Sequence, residues 1–335
     1  MTVSLVVDAQ RWRRHQAAVR ARAPGLVPVA KGNGYGFGIE LLASESGALG
    51  VDTLAVGTYP EVPAASGFPG SVLVLSPWRP FVQAPTEDRR VVHTVSRLGD
   101  LAAVAAMPDR PRVVVELLTS MHRHGIPSGQ LAAAGPMLDG VTFEGWSVHL
   151  PMAGDNIPEA SALARRALEV APGPVWVSHV PAEHLNEVSS DVRLRVGTSL
   201  WLGDPGAVDV RATVLDVHRL DGSDTFGYRQ RTLRRGGTLL VVSGGTAHGI
   251  ALSAPTPATT LRQRGVAAAD GGLQALGRAR SPFLVDGRQT WFAEPPHMQC
   301  SMIVSPSGAP VPGVGDQLTV RVRHTTTLVD EVVLV

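Results

Sequence analysis

VPVAKGNGYGFG, residues 27–38, places a lysine at the end of a short apolar run and follows it with a loop that contains four glycines. Lys31 is the only lysine in a chain of 335 residues, whose lysines and arginines together number 30. Arginine keeps its proton in proteins, whereas a desolvated lysine amine can lose its proton and become nucleophilic. Lys31 is therefore a candidate Schiff-base residue. The plainer alternative is a surface lysine left over in an arginine-rich chain.

Short apolar segments alternate with helical segments on both sides of this stretch, as far as residue 204. Strands of four to six residues that alternate with helices are typical of parallel βαβ units. About eight such strands, counted from Leu26, favour a (β/α)8 TIM barrel over a doubly wound sheet: 26–30, 53–56, 71–75, 91–93, 112–118, 141–149, 175–179 and 193–202. Helices are predicted at 9–23, 39–46, 98–106, 159–170 and 182–188.

Polar residues of this segment fall at the C-terminal ends of the predicted strands, where barrel enzymes carry their chemistry. These positions are Lys31, Tyr59, 116–123, His149, His179 and 195–198. His149 and His179 end neighbouring strands, but no carboxylate or third histidine completes a set of metal ligands, so we predict no metal site.

After Gly203 the helical periodicity is almost absent, and the predicted strands are separated by turns that contain Gly, Pro and Asp. We predict two domains, a barrel over 1–204 and an all-β domain over 205–335; the first strand, 3–7, can join either one. Strands of the second domain are predicted at 208–220, 238–243, 288–292, 298–305 and 317–335. Residues 261–280, rich in Gly, Ala and Arg, are predicted to form a mobile surface loop, with a short helix as the alternative.

Composition narrows the functional class. The net charge is +1 and the cations are dispersed, so neither nucleic acid nor a membrane surface is an expected partner. Cys300 is the only cysteine, which rules out an internal disulfide and fits a reducing compartment. The sequence shows no signal peptide and no apolar run long enough to span a membrane, so we expect a cytoplasmic protein.

Four motifs carry a resemblance to the alanine racemase family. VPVAKGNGYGFG resembles that family's cofactor-lysine motif, close to VVKANAYGHG, and RVGTSLWLG at 195–203 resembles RPGIALYG. ELLTSMHRHGI at 116–126 resembles KVDTGMHRLGF, and SVHLP at 147–151 resembles the short strand that carries the family's THF histidine. All four occur in the family's order and at similar spacing, and the resemblance covers the barrel better than the second domain.

The resemblance implies a fold-type III enzyme that uses pyridoxal 5′-phosphate (PLP), acts as a racemase or epimerase on an amino acid and forms a homodimer with shared active sites. Lys31 would be the Schiff-base lysine and one of two bases. Arg123 would hold the substrate, and Arg195 would face the pyridine nitrogen of the cofactor. The other implied cofactor contacts are Tyr35, Gly197 and Thr198 at the phosphate, His149 near the ring, and Ser178 in place of a missing Asn-Ser pair.

Glu116 interrupts the apolar run VVVELL, where a charge is costly unless it is paired. In many alanine racemases the matching residue is a lysine that carries a carbamate, and a glutamate supplies an anion without that modification. We expect Glu116 to form an ion pair with Arg123; an inward-facing glutamate with another partner is the alternative.

The second domain departs from the family pattern. In the family, the second base is a tyrosine from the β domain of the partner subunit. The matching stretch here is DGSDTFGYRQRT, residues 221–232. Phe226 falls at the position of that tyrosine, or Tyr228 does if the alignment is shifted by two residues. The family's IGYADG and CMDQ segments are replaced by VVSGGTAHGI and MQCSM, which leaves the roles of His248 and Cys300 open. The substrate half of the site is therefore remodelled. A decarboxylase or lyase of the same fold, or a catalytically weak PLP-binding protein, are alternatives to a racemase.

Overall fold

A computed structural model describes residues 2–84, 88–233, 235–252, 260–275 and 279–335. The chain divides into two compact units, Gln10–Asp204 and the combination of Met1–Ala9 with Pro205–Val335. No helix in the described ranges has the length and apolar character that a membrane crossing requires.

Strand β1, Val3–Val7, belongs to the second unit. The strands of the first unit are β2 Leu26–Pro28, β3 Thr53–Val56, β4 Ser71–Val74, β5 Val91–Val95, β6 Arg112–Leu117, β7 Thr142–His149, β8 Val175–Ser178 and β9 Val192–Val196. The α-helices are α1 Ala9–Arg22, α2 Ile39–Ala48, α3 Leu98–Ala105, α4 Gly135–Leu138, α5 Ile157–Leu168, α6 Leu185–Val188 and α7 Thr198–Trp201. Short 3-10 helices lie at Gly34–Gly36, Tyr59–Glu61, Pro63–Ala65, Ser128–Ala134 and Ala182–His184.

Strands β2 to β9 form one parallel sheet of eight strands in the order β2-β9-β8-β7-β6-β5-β4-β3. A parallel bridge between Val29 and Ala55, with the N–H of Ala30 donating to the carbonyl of Ala55 at 2.8 Å, brings the first strand beside the last. The predicted (β/α)8 barrel is confirmed.

The lower interior of the barrel is apolar. Its cluster of buried side chains comprises Val27, Val29, Ala55, Leu73, Val92, Val114 and Trp176. Alternate residues of a strand point to the same face, so Glu116 follows Val114 on the interior side, and Ser178 follows Trp176. The interior therefore changes from apolar to polar where the strands end, which is where a site can form.

The predicted strand 193–202 is wrong in its second half. Gly197, with φ −114° and ψ −94°, ends β9, and α7 begins at Thr198. Leu200 and Trp201 are buried from a helix rather than from a strand. A run of apolar residues this short does not distinguish the two structures.

The second unit contains β10 Val208–Leu220, β11 Thr225–Phe226, β12 Arg231–Thr232, β13 Gly237–Ser243, β14 Arg280–Val285, β15 Arg288–Phe292, β16 Cys300–Val304, β17 Gln317–Thr319 and β18 Glu331–Leu334. It also contains helix α8, Leu261–Ala275, and 3-10 helices at Pro205–Ala207 and Thr246–His248. The main sheet is mostly antiparallel, in the order β14-β15-β16-β13-β10-β1-β18, with β17 paired to β10. β1 lies between β10, to which it is antiparallel, and β18, to which it is parallel.

Two predictions for this unit need correction. The predicted mobile loop over 261–280 is helix α8 for most of its length and the start of β14 at its end, whereas residues 276–278 lie outside the described ranges. Alanine-rich composition stabilises a helix even where Gly271 and Gly272 interrupt it. The predicted strand 317–335 is two strands, β17 and β18, separated by turns.

Candidate active site

Lys31 follows the end of β2, where two tryptophans fix the backbone. Trp201 donates its indole N–H to the carbonyl of Val29 at 2.8 Å, and Trp12 donates its own to the carbonyl of Trp201 at 2.8 Å. Phe37, from the glycine-rich loop after Lys31, stacks on Trp12 with 4.7 Å between ring centroids. Helix α1, strand β2 and helix α7 are thereby joined at the point where the lysine emerges.

The carboxylate of Glu61 anchors the backbone around Lys31. It accepts the N–H of Gly57 at 2.7 Å, that of Gly32 at 3.1 Å and that of Thr58 at 3.3 Å. These bonds join the first residue after Lys31 to the end of β3. Since a charged acceptor makes strong hydrogen bonds, Glu61 restricts the position of the lysine side chain.

The amine of Lys31 is prepared for nucleophilic chemistry. Desolvation by the surrounding protein lowers its pKa, the charges of Arg123 and Arg195 lower it further, and Glu61 opposes them. The residue is nevertheless exposed, so a ligand can reach the amine. A lysine with a lowered pKa and open access is suited to attack a carbonyl.

Tyr35 and Gly197 meet across the mouth of the barrel. Tyr35 has φ +57° and is 6% exposed. A Cβ at position 197 would lie 2.1 Å from the Tyr35 hydroxyl oxygen, so only glycine leaves room for this phenol. Burial raises the pKa of Tyr35 to about 12, which keeps its hydroxyl protonated as a donor. With Thr198 next in the chain, the three residues predicted for the phosphate lie together.

Arg195 is a buried cation at the end of β9. Its Nη1 donates to Ser147 Oγ at 2.9 Å and its Nη2 donates to the carbonyl of Val148 at 2.9 Å, both on β7. Its Nε is buried with no hydrogen-bond partner. Desolvation lowers the pKa of Arg195 to about 10, opposed by Glu116, so the guanidinium stays charged at neutral pH.

His149 and Ser178 end neighbouring strands and form a hydrogen bond of 2.7 Å through His149 Nδ1. Desolvation, with Arg195 and Arg123 adding to it, lowers the pKa of His149 to about 3, so the imidazole is neutral. The ring of His179 lies 5.6 Å away, edge to face. Among the residues that the structure describes, no cluster of His, Cys, Asp or Glu is arranged to hold a metal.

The expected ion pair between Glu116 and Arg123 is not formed. Glu116 is 3% exposed, and its Oε2 is buried without a hydrogen-bond partner. Desolvation raises the pKa of this carboxyl, while the charges of Arg195, Arg123 and Arg79 act in the opposite direction. Glu116 therefore faces several cations at a distance instead of pairing with one.

Sequence reasoning did not identify Arg79. It lies after β4 and donates to Asp100 at 3.0 Å and to Ser96 at 3.1 Å. Its charge contributes to the pKa values of Glu116 and His124. The one available signal was its position just after a predicted strand, in the segment SPWRP.

The loop that carries Arg123 is fixed at both ends. Thr119 donates its hydroxyl to the carbonyl of His149 at 2.7 Å. At the other end Gly125 has φ +131°, and a Cβ there would lie 2.2 Å from the backbone of Leu117. The arginine is thus held on an exposed loop beside the barrel mouth.

Phe226 and Tyr228, the two alternatives for a second base, have opposite environments. Phe226 is 7% exposed and packs with Leu239 and Ala293 in an apolar cluster. Tyr228 is 85% exposed. It belongs to the second unit, whereas the barrel-mouth residues above belong to the first. Of the two, only Tyr228 presents a side chain to a ligand.

His248, whose role the sequence left open, is a structural residue. Its Nε2 lies 3.2 Å from both carboxylate oxygens of Asp330, and Asp330 accepts the N–H of Val3 at 2.7 Å. The histidine thus helps to join β1 to the segment that precedes β18.

The fold and these contacts define a (β/α)8-barrel protein with a lysine-centred site at the C-terminal ends of its strands. The family described as "Alanine racemase, N-terminal domain" matches residues 7–177, slightly more than half of the chain, and the chain belongs to this family.

Curated relatives and solved structures agree with this assignment. The alanine racemase of Nitratidesulfovibrio vulgaris is 27% identical over 276 residues, which cover 70% of this chain and 72% of that protein. The match to the alanine racemase of Campylobacter curvus is 27% identical over 185 residues and covers 50% of this chain, which spans about half, 52%, of that relative.

Two solved structures share the fold. The alanine racemase from E.faecalis has a TM-score of 0.70 at 21% identity, and the match covers 95% of this chain and 88% of that chain. The alanine racemase of Bartonella henselae, solved with covalently bound pyridoxal phosphate, has a TM-score of 0.70 at 16% identity, with 97% and 91% covered.

Proposed function

We propose that this protein is a PLP-dependent amino-acid racemase or epimerase that works as a homodimer. The observation that carries the proposal is the lysine at the barrel mouth. Lys31 is accessible, and its pKa is lowered by desolvation and by the charges of Arg123 and Arg195.

The residues present fit PLP. An accessible lysine with a lowered pKa suits the aldehyde of the cofactor. The glycine at position 197 lets the protonated phenol of Tyr35 approach the backbone at the start of α7, where the hydroxyl and the backbone N–H groups of Gly197 and Thr198 would bind a phosphate. The buried guanidinium of Arg195 supplies a fixed cation for the pyridine nitrogen. When bound, PLP makes the α-proton of an amino acid acidic by delocalising the charge that its removal leaves.

The chain's own residues then control the proton. Lys31 would hold the cofactor and would move a proton at Cα on one face. Arg195 keeps its charge at neutral pH and so opposes protonation of the pyridine nitrogen, which favours simple proton exchange over reactions that need a deeper electron sink. Arg123 orients the substrate carboxylate, because a guanidinium forms paired bonds with a carboxylate. We assign the proton on the other face to Tyr228 of a second copy.

A different PLP reaction is the second candidate. It is favoured by the substrate-side segments of the second unit, where Gln299 and Cys300 stand near the family's Met-Asp positions. A decarboxylase or lyase would use the same Lys31 and Arg195 but would consume its substrate rather than invert it.

The first experiment tests the cofactor. The purified protein with added PLP should show a visible absorbance band, and Lys31→Ala should lose it, whereas Arg22→Ala, a change at an exposed cation at the end of α1, should keep it. A colourless wild-type protein after PLP addition would refute every PLP assignment.

The second experiment tests the reaction. Each L- and D-amino acid is incubated with the holoenzyme in deuterium oxide, and the recovered amino acid is analysed for deuterium at Cα and for inversion. Deuterium with inversion is the expected result for at least one amino acid. Loss of carbon dioxide or of a β- or γ-substituent identifies the second candidate instead, and the absence of exchange with every amino acid contradicts the racemase.

A further inference from the structure

Two polar residues of the second unit, Glu294 and His297, contact Tyr228. Glu294 is 2% exposed; its Oε2 accepts the backbone N–H of Tyr228 at 3.0 Å, and its Oε1 lies 2.7 Å from His297 Nε2. The imidazole of His297 lies against the ring of Tyr228, with 4.7 Å between centroids and 42° between planes. One buried carboxylate therefore holds the main chain of Tyr228 directly and its ring through His297.

The turn before Tyr228 is shaped to fit this carboxylate. Gly227 has φ +69°, and a Cβ there would lie 2.2 Å from Glu294 Oε2. Gln230 closes the same turn by donating to the carbonyl of Gly227 at 3.0 Å and accepting the hydroxyl of Thr225 at 2.8 Å. The backbone around Tyr228 is thus fixed from both sides.

The second ring nitrogen of His297 has its own partner. Its Nδ1 lies 3.8 Å from the Sγ of Cys300. Desolvation and the charge of Glu294 raise the pKa of this thiol, which favours its protonated form beside Nδ1. The other nitrogen, Nε2, faces Glu294 Oε1 at 2.7 Å. The imidazole is held at both nitrogens, which fixes the plane that faces Tyr228.

Tyr228 itself remains open to solvent. Its side chain is 85% exposed and borders a cavity of about 350 Å³ that Arg229, Thr246 and Met298 also line. Exposed side chains ordinarily move among rotamers without restraint. A tyrosine held at its backbone and along its ring, yet exposed, is suited to present its hydroxyl in one direction.

We propose that His297 and Glu294 are positioning residues that fix the direction of the Tyr228 hydroxyl. The inference rests on the proposed function, in which Tyr228 is the base on the second face of the substrate. A displacement of a reacting group by about 1 Å lowers a rate by about a hundredfold. Loss of the His297 ring should therefore weaken proton transfer on the Tyr228 face and spare the Lys31 face.

The first test needs neither substrate nor cofactor. Protein that contains 3-fluorotyrosine has three fluorinated residues, of which Tyr35 and Tyr59 are 6% and 4% exposed, and Tyr228→Phe identifies the resonance of the third. We expect His297→Ala to shift and narrow the Tyr228 resonance because the ring becomes free to move. His218→Ala is the matched control, since His218 is exposed and lies 3.4 Å from the exposed carboxylate of Asp216. An unchanged Tyr228 resonance in His297→Ala overturns the proposal.

The second test separates the two faces of the substrate. Deuterium uptake at Cα without inversion is measured from each enantiomer of the amino acid that exchanges fastest in the screen above. Tyr228→Phe should abolish uptake from one enantiomer and spare the other. His297→Ala should reduce uptake from that same enantiomer about tenfold to a hundredfold and change the other by less than about twofold.

The outcomes separate this proposal from the proposed function. Equal losses from both enantiomers would show that His297 only supports the fold, and the positioning role would be wrong. Glu294→Gln keeps the shape of the side chain and serves if His297→Ala fails to fold; it should shift the same resonance and affect the same enantiomer. If the wild-type holoenzyme exchanges neither enantiomer, the proposed function fails, and the fluorine spectrum alone decides whether His297 positions the ring.

Discussion

Gly197→Ala is the most direct test of the contact across the barrel mouth. An alanine methyl would lie 2.1 Å from the hydroxyl oxygen of Tyr35 and 2.9 Å from its Cζ, although real Cβ contacts do not fall below 3.0 Å. Tyr35 must therefore withdraw by about 1 Å. This movement is hindered because the residue is only 6% exposed and its backbone is already in the left-handed region, with φ +57°. The backbone of Gly197, with φ −114° and ψ −94°, lies outside the helical and extended regions that a residue with a Cβ prefers, so backbone strain adds to the steric cost.

The expected loss of stability follows from two opposing effects. Overpacking a buried site costs about 1–3 kcal/mol, and the restrained loop around Tyr35 places this site in the upper half of that range. Replacing glycine with alanine also lowers the entropy of the unfolded chain, which returns about 0.4–1 kcal/mol. These two effects leave a net loss of about 1–2 kcal/mol in the free energy of unfolding, and the backbone strain at position 197 adds to this loss.

Urea unfolding followed by tryptophan fluorescence measures this loss in the first unit. Five of the six tryptophans, all except Trp291, lie in Gln10–Asp204, so the signal reports chiefly on the barrel. Gly99→Ala is the matched control, because a Cβ there meets no atom within 4 Å and an alanine in α3 should be neutral or stabilising.

A double mutant identifies the cause. Tyr35→Phe removes the contact at 2.1 Å but leaves the one at 2.9 Å. Gly197→Ala should therefore cost less in a Tyr35→Phe background, with a coupling of at least about 0.5 kcal/mol. The steric explanation would be refuted by a loss no larger than that of Gly99→Ala, or by equal losses with and without the phenol oxygen.

Two further predictions concern ionisable groups of the site. Glu61→Ala removes the acceptor of three backbone N–H groups around Lys31 and should lower the free energy of unfolding, measured in urea, by about 1–3 kcal/mol. Glu40 is exposed, so Glu40→Ala should lower it little. Equal losses in the two variants would contradict the anchoring role of Glu61. The pKa of His149 is lowered from 6.5 to about 3, so the unfolded chain binds a proton first as the pH falls and native stability decreases between these values. Unfolding from about pH 7 to about pH 4 should therefore show a steeper loss for the wild type than for His149→Asn, and parallel curves would exclude this linkage.

Much of the barrel could be predicted because each of its strands is a short apolar run with a polar residue at its end. The positions of Lys31, His149 and Arg195 at strand ends could be predicted for this reason, because a strand end fixes the position of a residue without knowledge of any distant contact. The same pattern failed at 193–202, because Leu200 and Trp201 are buried equally well from a helix and from a strand.

Contacts between distant parts of the chain could not be predicted from local pattern. The meeting of Tyr35 with Gly197 and the bond from Trp201 to Val29 join residues more than 150 positions apart. The interaction of Glu116 depends on where three arginines lie in space, and the sequence identified only one of them as its partner. Tyr228 was named as an alternative to Phe226, but its restraint by Glu294 and His297 required the fold.

The place of β1 in the sheet determines when this strand can pair during synthesis of the chain. β1 precedes the barrel in the chain, yet Asp330, whose carboxylate accepts the N–H of Val3, lies 327 residues further on. At about 5–20 residues per second, roughly 16–65 s separate the two during translation. Residues 10–204 emerge complete in that interval. The nascent β1 therefore lacks its partners β10 and β18 while the barrel that follows it is already able to form, and its pairing with β18 becomes possible only after residues 331–334 have been synthesised.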